Sequence, residues 1–517
     1  MLEYAVGVLV ALLAAVYMFF LHRFNYWQRR GVPFVAPRLP CGNVTDVILG
    51  RRPMLAVVDD IYKEHRDKRF IGTYFLFTPV LQLQDVDIIR QVYIKEFQDF
   101  SGRGTYWNPE NDPLSGHLFI LGGQAWKSMR AKLVPAFSPG KVKYMFGTVS
   151  ECAGFLREHV ESSLAKGGGA YTEDIRELLA RFSTDVISSA AFGIESNSMK
   201  NPHSEFRRMG QRAFEPCMDV NMRTLLEFFA RDIMKMFSIR SVPNDVHEFF
   251  TRIVADLVEH REKNNVERAD LLNILIRLKN DGFVPGDDEA SAETRGVDRD
   301  DQKLTGKEIA AQVFVFFIAG FETTSSTTAF TLYELAKHPD IQDKVLQELD
   351  TVLKAHGGKV TYDALQEMTF MEMVVQGGFE TLRHYPAVPF ITREAMVTRP
   401  LPLTDTMVEK GTRLLIPVWS IHKDPELWED PLRYDPMRFL EEAKRARRPG
   451  IYMPFGDGPR ICIGMRMGLV QVKTALATVL SLARVTLAPS TPKEVRISAR
   501  TVVIAPEHDI HLVLTAR

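Results

Sequence analysis

The chain begins with an uncharged, strongly apolar run over residues 4–21. A helix needs about 20 such residues to span a bilayer, so the run lies near the lower limit of length. Glu3 precedes the run whereas Arg29 and Arg30 follow it, and this asymmetry predicts that the bulk of the chain lies in the cytosol. A cleaved signal peptide is the alternative, but no basic segment precedes the run and no small-x-small cleavage site follows it. We therefore expect an uncleaved membrane anchor.

Later patterns predict one β-hairpin and then mainly helices. Apolar residues alternate over 70–77 and recur over 80–83, with Thr78-Pro79 between them, which is typical of two strands joined by a turn. Apolar residues at helical spacing predict a helix over 173–192 and another after Gly464.

Three stretches are predicted as loops. Residues 101–123 are rich in Gly, Asn, Pro and Asp, and the apolar residues 118–120 within them are expected to cover a pocket. The glycines in 166–169 indicate a flexible connector and not a phosphate loop, because no strand precedes them and no G-K-[ST] follows. Residues 284–302 are acidic and poor in large apolar groups, which predicts an exposed, mobile insertion.

A long helix is predicted to start at Thr305, where Thr305 and Glu308 form a capping-box pattern, and to stop before Pro339. Such a helix is roughly 50 Å long at about 1.5 Å per residue. It is too polar at Gln312 to be a second membrane span. The Gly, Ser and Thr residues over 320–328 are poor helix formers, and their hydroxyls can bond to carbonyls one turn back, leaving a groove that can admit water.

Composition is that of a folded protein: the chain has 517 residues, of which 45% are hydrophobic and 25% charged. The 64 basic and 65 acidic side chains give a net charge of −1, so nucleic acid is not an expected partner. The 4 cysteines lack paired or C-x-x-C spacing, which argues against a disulfide framework and a zinc site and fits a reducing compartment.

The most distinctive chemistry lies in residues 454–464, where glycines, a proline and Arg460 surround Cys462. Cys462 would lie just ahead of a helix N-terminus, where backbone N–H groups and Arg460 favour a thiolate. A thiolate is a soft, anionic metal ligand. For a lone cysteine the alternative is an ordinary buried side chain.

This segment resembles a known family. Phe455, Gly458, Arg460, Cys462 and Gly464 match the F-x-x-G-x-R-x-C-x-G signature of the cytochrome P-450 superfamily of haem-thiolate monooxygenases. The resemblance implies a mainly α fold with small β-sheets, preceded by one transmembrane helix. It makes Cys462 the axial ligand of haem iron, whose electron donation favours O–O cleavage. It also places Phe455 on the proximal side of the haem and Arg460 at a haem propionate.

Other motifs extend the resemblance. Trp126 and Arg130 share a helix face and match the W-x-x-x-R pair that binds haem propionates, and Arg393 lies where relatives supply another propionate contact. Residues 319–324 match A-G-x-[DE]-T-[TS], which assigns Thr323 a hydroxyl on the oxygen-binding side and Glu322 a place in proton delivery. Without the resemblance, these residues would be interpreted as ordinary packing, capping and solvated charge.

A structural motif is also present. Glu380 and Arg383 match the buried E-x-x-R pair of the family, and Arg438 within the P-x-R-F segment 436–439 completes it, although Met437 replaces the usual glutamate. His422 belongs to the irregular meander and is predicted to have a structural role instead of binding iron.

Substrate and donor contacts follow from position in the family pattern. Residues 206–236 correspond to a mobile roof over the substrate, and residues 504–506 to a terminal turn at the pocket. The aromatic and apolar lining suits lipophilic compounds. The predicted substrate contacts are Phe119, Phe316, Ala319, Val388 and Phe390. A basic face for an acidic electron donor, or simply a solvated helix face, would be formed by Lys127, Lys132, Lys141 and Lys143.

The resemblance therefore implies a membrane-anchored monooxygenase: an anchor over 1–22, a basic, proline-containing linker over 23–42 and a catalytic domain over 43–517. It implies haem b (iron protoporphyrin IX), electrons from NADPH through NADPH-cytochrome reductase, cytochrome b5 as a further candidate donor, and location in the endoplasmic reticulum membrane. Residues 112–116 and 462–464 resemble the insect microsomal branch that oxidises plant toxins and insecticides. The alternatives are a haem-thiolate hydroperoxide isomerase or dehydratase and a non-catalytic haem or lipid-binding membrane protein.

Overall fold

A computed structural model of the protein describes residues 1–214, 218–268, 270–282, 303–375, 380–498 and 503–517. The acidic stretch predicted over 284–302 lies outside the described residues, as does Cys217. The architecture is mainly helical with small sheets, as expected. The α-helices are α1 Leu2–Phe24, α2 Thr45–Ile48, α3 Met54–Glu64, α4 Val86–Arg90, α5 Gly123–Leu133, α6 Pro139–Lys166, α7 Ile175–Ile187, α8 Glu205–Phe214, α9 Met218–Phe229, α10 Arg231–Met236, α11 Asn244–Asn264, α12 Leu271–Asn280, α13 Gly306–Lys337, α14 Pro339–Ala355, α15 Tyr362–Glu367, α16 Thr369–Val375, α17 Glu380–His384, α18 Val418–His422, α19 Glu441–Ala446 and α20 Met465–Leu482.

The strands form three small sheets. They are β1 Phe70–Phe75, β2 Thr78–Leu83, β3 Ala170–Asp174, β4 Ile391–Glu394, β5 Arg399–Pro400, β6 Met407–Val408, β7 Arg413–Ile416, β8 Ala483–Leu487 and β9 His511–Ala516. The largest sheet has the order β1-β2-β7-β4, in which β2 and β7 are parallel and the other neighbours antiparallel. The second has the order β3-β9-β8, and the third pairs β5 with β6.

The predicted hairpin is confirmed, but its turn was placed wrongly. Thr78 pairs with Phe75, so the turn is Leu76-Phe77 and Thr78-Pro79 belong to β2. A two-residue hairpin turn requires positive φ, and Leu76 adopts it at 55°. Leu76 is buried in a cluster with Val44, so tertiary packing holds a residue in a turn that its type disfavours.

The helix predicted over 173–192 begins two residues later than expected. Residues 170–174 form β3, which pairs with β9 from the far end of the chain. Asp174 then caps α7, its carboxylate accepting hydrogen bonds from the backbone N–H groups of Arg176 and Glu177. The predicted end is confirmed, since a π-helical turn over Ser188–Phe192 closes at Gly193 with φ of 69°.

Helix α13 crosses the molecule and organises its core. Its predicted capping box is present, with Thr305 and Glu308 bonding reciprocally. Its length and hydropathy would allow a membrane span, but most of it is buried inside the fold. At Gly320 a Cβ atom would lie 2.7 Å from Cδ1 of Ile187, so α7 packs against α13 where residue 320 has no side chain.

Two apolar clusters meet along α13. One joins its C-terminal half, from Ala329 onward, to α6, α7, α14 and α20. The other joins its N-terminal half, from Ile309 to Phe321, to α5, α8, α11 and α12. The polar residues 322–328 lie between the two clusters, so the stretch of the long helix that is rich in Ser and Thr is central in the fold.

Helix α1 has exposed side chains over most of its length and belongs to a candidate membrane span, Leu2–Arg30. The last residue of α1 and the residues that follow it are different. Phe24, Trp27 and Val32, inside the segment predicted as a linker, are buried.

Candidate active site

Cys462 lies in a tight turn between the β-bridge of Pro454 with Gly456 and the start of α20. The backbone N–H of Cys462 donates to the carbonyl of Phe455 over 2.9 Å, and α20 begins three residues later. A 3-10 turn over Gly458–Arg460 lies between them. At Gly458, with φ of 68°, a Cβ atom would lie 2.2 Å from the carbonyl oxygen of Tyr93, so only glycine fits there.

The Cys462 side chain is exposed, yet desolvation by surrounding protein raises the pKa of its thiol. We interpret the two observations together as a sulfur on the wall of a cavity. The N–H groups of Gly464 and Met465 and the Arg130 guanidinium act in the opposite direction and lower that pKa. The predicted stabilisation of a thiolate by the helix N-terminus is therefore present but smaller than the cost of burial. A bound cation would supply the remaining stabilisation, because a coordinating thiol is deprotonated outright.

Guanidinium groups gather around this space. Arg460 lies 4.5 Å over the ring of Trp126 and donates to the carbonyl of Leu121. Arg393 lies 4.6 Å over the ring of Tyr93. Burial lowers the pKa of both arginines, to about 7 for Arg460, and three neighbouring cations, Arg103, Arg393 and Arg130, lower the pKa of Arg460 further.

Sequence reasoning missed Arg103, which lies between Gly102 and Gly104 in the predicted loop. It is buried, its guanidinium lies 4.1 Å over the ring of Phe119, and burial together with Arg393 lowers its pKa to about 9. The only signal was an arginine between glycines in an apolar loop. Within the described chain, the Nε atoms of Arg103, Arg393 and Arg460 have no hydrogen-bond partner.

Buried guanidinium N–H groups without acceptors are costly unless an anion meets them. A cofactor that carries carboxylates and binds a thiolate would satisfy this donor set. The residues present therefore fit a haem: Arg103, Arg130, Arg393 and Arg460, with Trp126, would bind its propionates, and Cys462 would supply the thiolate.

One face of α13 carries three of the predicted site residues. Phe316, Ala319 and Thr323 follow at spacings of three and four, and Ala319 is exposed in a helix that is otherwise mostly buried. The hydroxyl of Thr323 donates to the carbonyl of Ala319 over 2.6 Å, and Thr327 donates to the carbonyl of Thr323 over 2.7 Å. The predicted bonding of hydroxyls one turn back is confirmed.

Glu322 points to another side of the helix. It is buried, and its carboxylate accepts hydrogen bonds from Arg176 of α7 over 2.9 Å and from Ser326 over 3.3 Å. Arg176 is partly exposed, so it connects the buried carboxylate with the surface. Arg176 was missed because it is close to Glu322 only in the folded molecule.

The motif predicted to be structural is found as described. Arg383 makes two hydrogen bonds of 2.7 Å to Glu380, both side chains are fully buried, and Arg438 lies 3.5 Å from the same carboxylate. Burial raises the pKa of Glu380, but hydrogen bonds from Arg383 and His384 outweigh it and hold that pKa at about 2.

This motif is linked to the cysteine loop through His422. Arg383 donates to the carbonyl of His422, and Nε2 of His422 accepts from the backbone N–H of Met453, two residues before Phe455. Burial lowers the pKa of His422 to about 3, so it is neutral. Its geometry is that of a structural residue, as the sequence indicates.

Comparisons with known proteins agree with this geometry. A family model, Cytochrome P450, matches residues 36–513. The chain belongs to the cytochrome P450 family. It is 40% identical over 516 residues to cytochrome P450 6a2 of Drosophila melanogaster, covering 99% of this chain and 98% of that protein. It is 38% identical to cytochrome P450 6A1 of Musca domestica (99% and 97% covered) and 36% identical to cytochrome P450 6k1 of Blattella germanica (98% and 96% covered).

The predicted fold class and the resemblance are thus confirmed: this is a cytochrome P450 monooxygenase, an oxidoreductase that uses a haem-thiolate centre, similar to family 6 proteins of insects. In this P450 the loop over 101–123 is held to α13 by one side chain. The amide of Gln312 accepts from the N–H of Leu118 over 2.9 Å and donates to the carbonyl of Gly116 over 3.1 Å. Phe119 is thereby held near the arginine cluster, over Arg103.

The predicted substrate contacts differ in their burial and in the residues around them in this P450. Phe316 packs on Phe137 with ring centroids 4.8 Å apart, and Phe137 is an apolar neighbour that sequence reasoning missed. Val388 is half-buried, and the N–H of Ile504 donates to the carbonyl of Ala387, which brings the terminal turn onto this segment. Phe390, in contrast, is buried in a cluster with residues of β1, β7 and α9.

The four lysines of the predicted basic face differ in exposure. Lys127 and Lys143 are exposed and Lys141 is half-buried, and Lys143 pairs with Asp363 over 2.9 Å. Lys132 is buried, so it was wrongly assigned to an outer docking face. It lies on the side of α5 that packs into the core.

Proposed function

We propose that Cys462 binds the iron of haem b and that this P450 inserts one atom of O2 into lipophilic small molecules, among them xenobiotics such as plant toxins or insecticides. The observation that carries the proposal is the accessible but desolvated sulfur of Cys462 beside Arg130, which in turn neighbours buried guanidiniums without acceptors for their Nε atoms. A haem-thiolate centre supplies the electron donation that favours O–O bond cleavage.

Thr323 and Glu322 have separate tasks in this proposal. The hydroxyl of Thr323 faces the open side of α13 and holds a proton there, while its bond to the carbonyl of Ala319 fixes its position. Glu322 exchanges protons with solvent on the other side of the helix, through the partly exposed Arg176. Proton transfer by positioned groups is the usual role of such residues.

The substrate class follows from the lining. The proposed contacts Phe119, Phe316, Ala319 and Val388 are all apolar and uncharged, which favours lipophilic compounds. The likeness to family 6 proteins of insects supports xenobiotics within that class. Endogenous lipids or hormones are also lipophilic, so they are tested beside the xenobiotics.

We further propose that α1 anchors this P450 as a single pass in the endoplasmic reticulum membrane, with the linker over 23–42 and the catalytic domain over 43–517 on the cytosolic face. NADPH-cytochrome reductase would deliver the electrons, with cytochrome b5 as an additional donor. The apolar, exposed α1 and the exposed Lys127 support these assignments.

The test reconstitutes the full chain with haem and reductase in vesicles and supplies ¹⁸O2, NADPH and panels of xenobiotics and endogenous lipids. We expect one ¹⁸O atom in the product by mass spectrometry. Cys462→Ser should lose both product and the red-shifted Soret band of the reduced CO complex. Cys41→Ser, a matched change at a half-buried free cysteine, should retain both.

The alternatives give different results. A hydroperoxide isomerase or dehydratase would convert hydroperoxides without NADPH, reductase or ¹⁸O incorporation. A haem or lipid carrier would bind ligands and turn none over. Retention of the red-shifted band by Cys462→Ser would refute the ligand assignment.

A further inference from the structure

The chain immediately after α1 is packed into the folded domain. Trp27 is fully buried, its indole N–H donates to the carbonyl of Thr73 over 3.0 Å, and its backbone N–H donates to the hydroxyl oxygen of Tyr74 over 3.1 Å. The indole lies where residue 72 has no side chain, because a Cβ atom on Gly72 would lie 2.6 Å from the ring. Trp27 therefore occupies a slot in β1 that requires glycine.

The last turns of α1 contact the same hairpin. The ring of Phe24 lies 5.2 Å from that of Tyr74, and Nε of Arg23 donates to the carbonyl of Phe77 over 3.2 Å. One turn earlier, the ring of Phe19 lies 5.9 Å from that of Phe77. Contacts on two successive turns restrict both the position and the tilt of the helix.

A surface clamp lies outside this packing. Arg30 lies 3.6 Å over the ring of Tyr26 and pairs with Glu409, while the Tyr26 hydroxyl donates to Glu409 over 3.1 Å. The chain then runs along the edge of β1, where the N–H of Val35 donates to the carbonyl of Gly72 over 2.9 Å. The segment from 23 to 35 is thus held by core packing, by a charged clamp and by strand-like hydrogen bonds.

We propose that residues 23–35 form a rigid joint that fixes the direction of the membrane helix relative to the catalytic domain, with a lipid bilayer as the partner of the exposed apolar helix it holds. The inference rests on the proposed membrane anchoring. Because α1 is one continuous helix, the direction of its last turn sets that of the whole span. At about 1.5 Å per residue, a change of about 20° at the joint would move the far end by roughly 10 Å.

The test measures the distance distribution between two nitroxide labels by pulsed electron paramagnetic resonance, in the haem-loaded full chain. Labels are placed at Tyr17→Cys on α1 and Glu64→Cys on α3, with Cys41 and Cys217 changed to Ser. We expect one narrow distribution in vesicles of phosphatidylcholine, and at least a twofold broadening in Trp27→Ala. Leu39→Ala, which changes an exposed apolar residue beyond the joint, is the matched control and should remain narrow.

If Trp27→Ala does not fold, exchanging the charges of Arg30 and Glu409 tests the joint independently. Arg30→Glu should broaden the distribution, and Arg30→Glu with Glu409→Arg should narrow it again. A broad distribution in the otherwise unmodified labelled chain, or a narrow one that neither Trp27→Ala nor Arg30→Glu changes, would overturn the joint. The narrow distribution should persist in detergent micelles, whereas release of the chain from vesicles by alkaline carbonate would contradict the anchoring alone.

Discussion

Cys462 acquires its environment from residues near it in the chain and from others far away. The turn and its glycines lie within the signature over 455–464, and α20 begins at the next residue. The cations that surround the space come from loop 101–123, from α5 and from β4, and they meet only in the folded molecule. For this reason the sequence indicates the ligand directly, but it indicates Arg103 only weakly.

Thr323 provides a test at the same scale. Thr323→Ala removes the hydroxyl on the open face of α13 and leaves the helix backbone unchanged. A positioned proton donor contributes about 10²–10⁴-fold, so we expect NADPH to be oxidised at a similar rate while product per NADPH falls by roughly tenfold or more and peroxide rises. Product, peroxide and NADPH are measured together in the reconstituted system.

The control for Thr323 has the same local geometry elsewhere. Thr351 on α14 also donates to the carbonyl four residues back, over 2.8 Å, but it is exposed and distant in the fold. Thr351→Ala should leave coupling unchanged. Equal loss of coupling in the two variants, or none in Thr323→Ala, would contradict the proton assignment.

At the scale of elements, those that depend on neighbouring residues are predictable from the sequence. Those that depend on pairing with a distant segment are not. The capping box of α13 and the hairpin of β1 and β2 depend on residues within a few positions, and both were predicted. Residues 170–174 form a strand because β9, more than 300 residues later, offers its edge. The turn at Leu76-Phe77 is likewise set by packing and not by turn propensity.

The pair of Glu380 and Arg383 tests how one element supports another. Arg383→Lys retains the charge but loses the two-pronged bond to Glu380 and the donor to His422, in a site without water access. Removing one partner of a buried pair costs about 3–5 kcal/mol. Because Arg383→Lys keeps the charge, we expect a smaller loss in unfolding free energy by chemical denaturation, still above the roughly 1 kcal/mol of an exposed pair, together with weaker haem retention.

An exposed pair of the same spacing serves as the control. Lys444 and Glu441 on α19 lie 2.7 Å apart at the surface. Lys444→Ala should change unfolding free energy by less than about 1 kcal/mol, because exposed pairs contribute little. Comparable losses in both variants would show that burial of the Glu380 motif does not carry the stability.

At the scale of the whole molecule, the roof over the space is joined by contacts between distant segments. The N–H of Ser241, after α10, donates to the Asp112 carboxylate over 2.7 Å, and Nε2 of His247 on α11 lies 3.6 Å from the same carboxylate. The N–H of Tyr106 donates to the carbonyl of Glu227 on α9. The loop over 101–123, predicted to cover a pocket, is therefore bonded to α9, which lies in the roof predicted over 206–236, and to α11 and the segment that leads into it. We call these elements together the lid.

This lid carries a pH dependence. Burial and the charge of Asp112 raise the pKa of Glu227 from its usual 4.5 to about 8. A carboxyl with a raised pKa in the folded state disfavours folding increasingly as pH rises from 4.5 to 8. His247 affects stability in the opposite sense, because burial and Arg240 lower its pKa. Above pH 6.5, its usual pKa, the imidazole is neutral in the folded and the unfolded state, so its effect on stability no longer changes with pH. Between pH 6.5 and 8, Glu227 is therefore the group of this cluster whose charge alters stability.

We expect Glu227→Gln to raise the Tm of the haem-loaded protein relative to wild type by an amount that grows between pH 6.5 and 8, because the amide carries no charge at any pH. The gain in Tm should be larger at pH 8 than at pH 6.5, since wild-type Glu227 is protonated in the fold at the lower pH. Glu248→Gln, an exposed change near Arg240 on the same lid, should keep the wild-type slope. Parallel curves for wild type and Glu227→Gln, measured by differential scanning calorimetry, would show that burial does not raise the pKa of the Glu227 carboxyl in the folded enzyme.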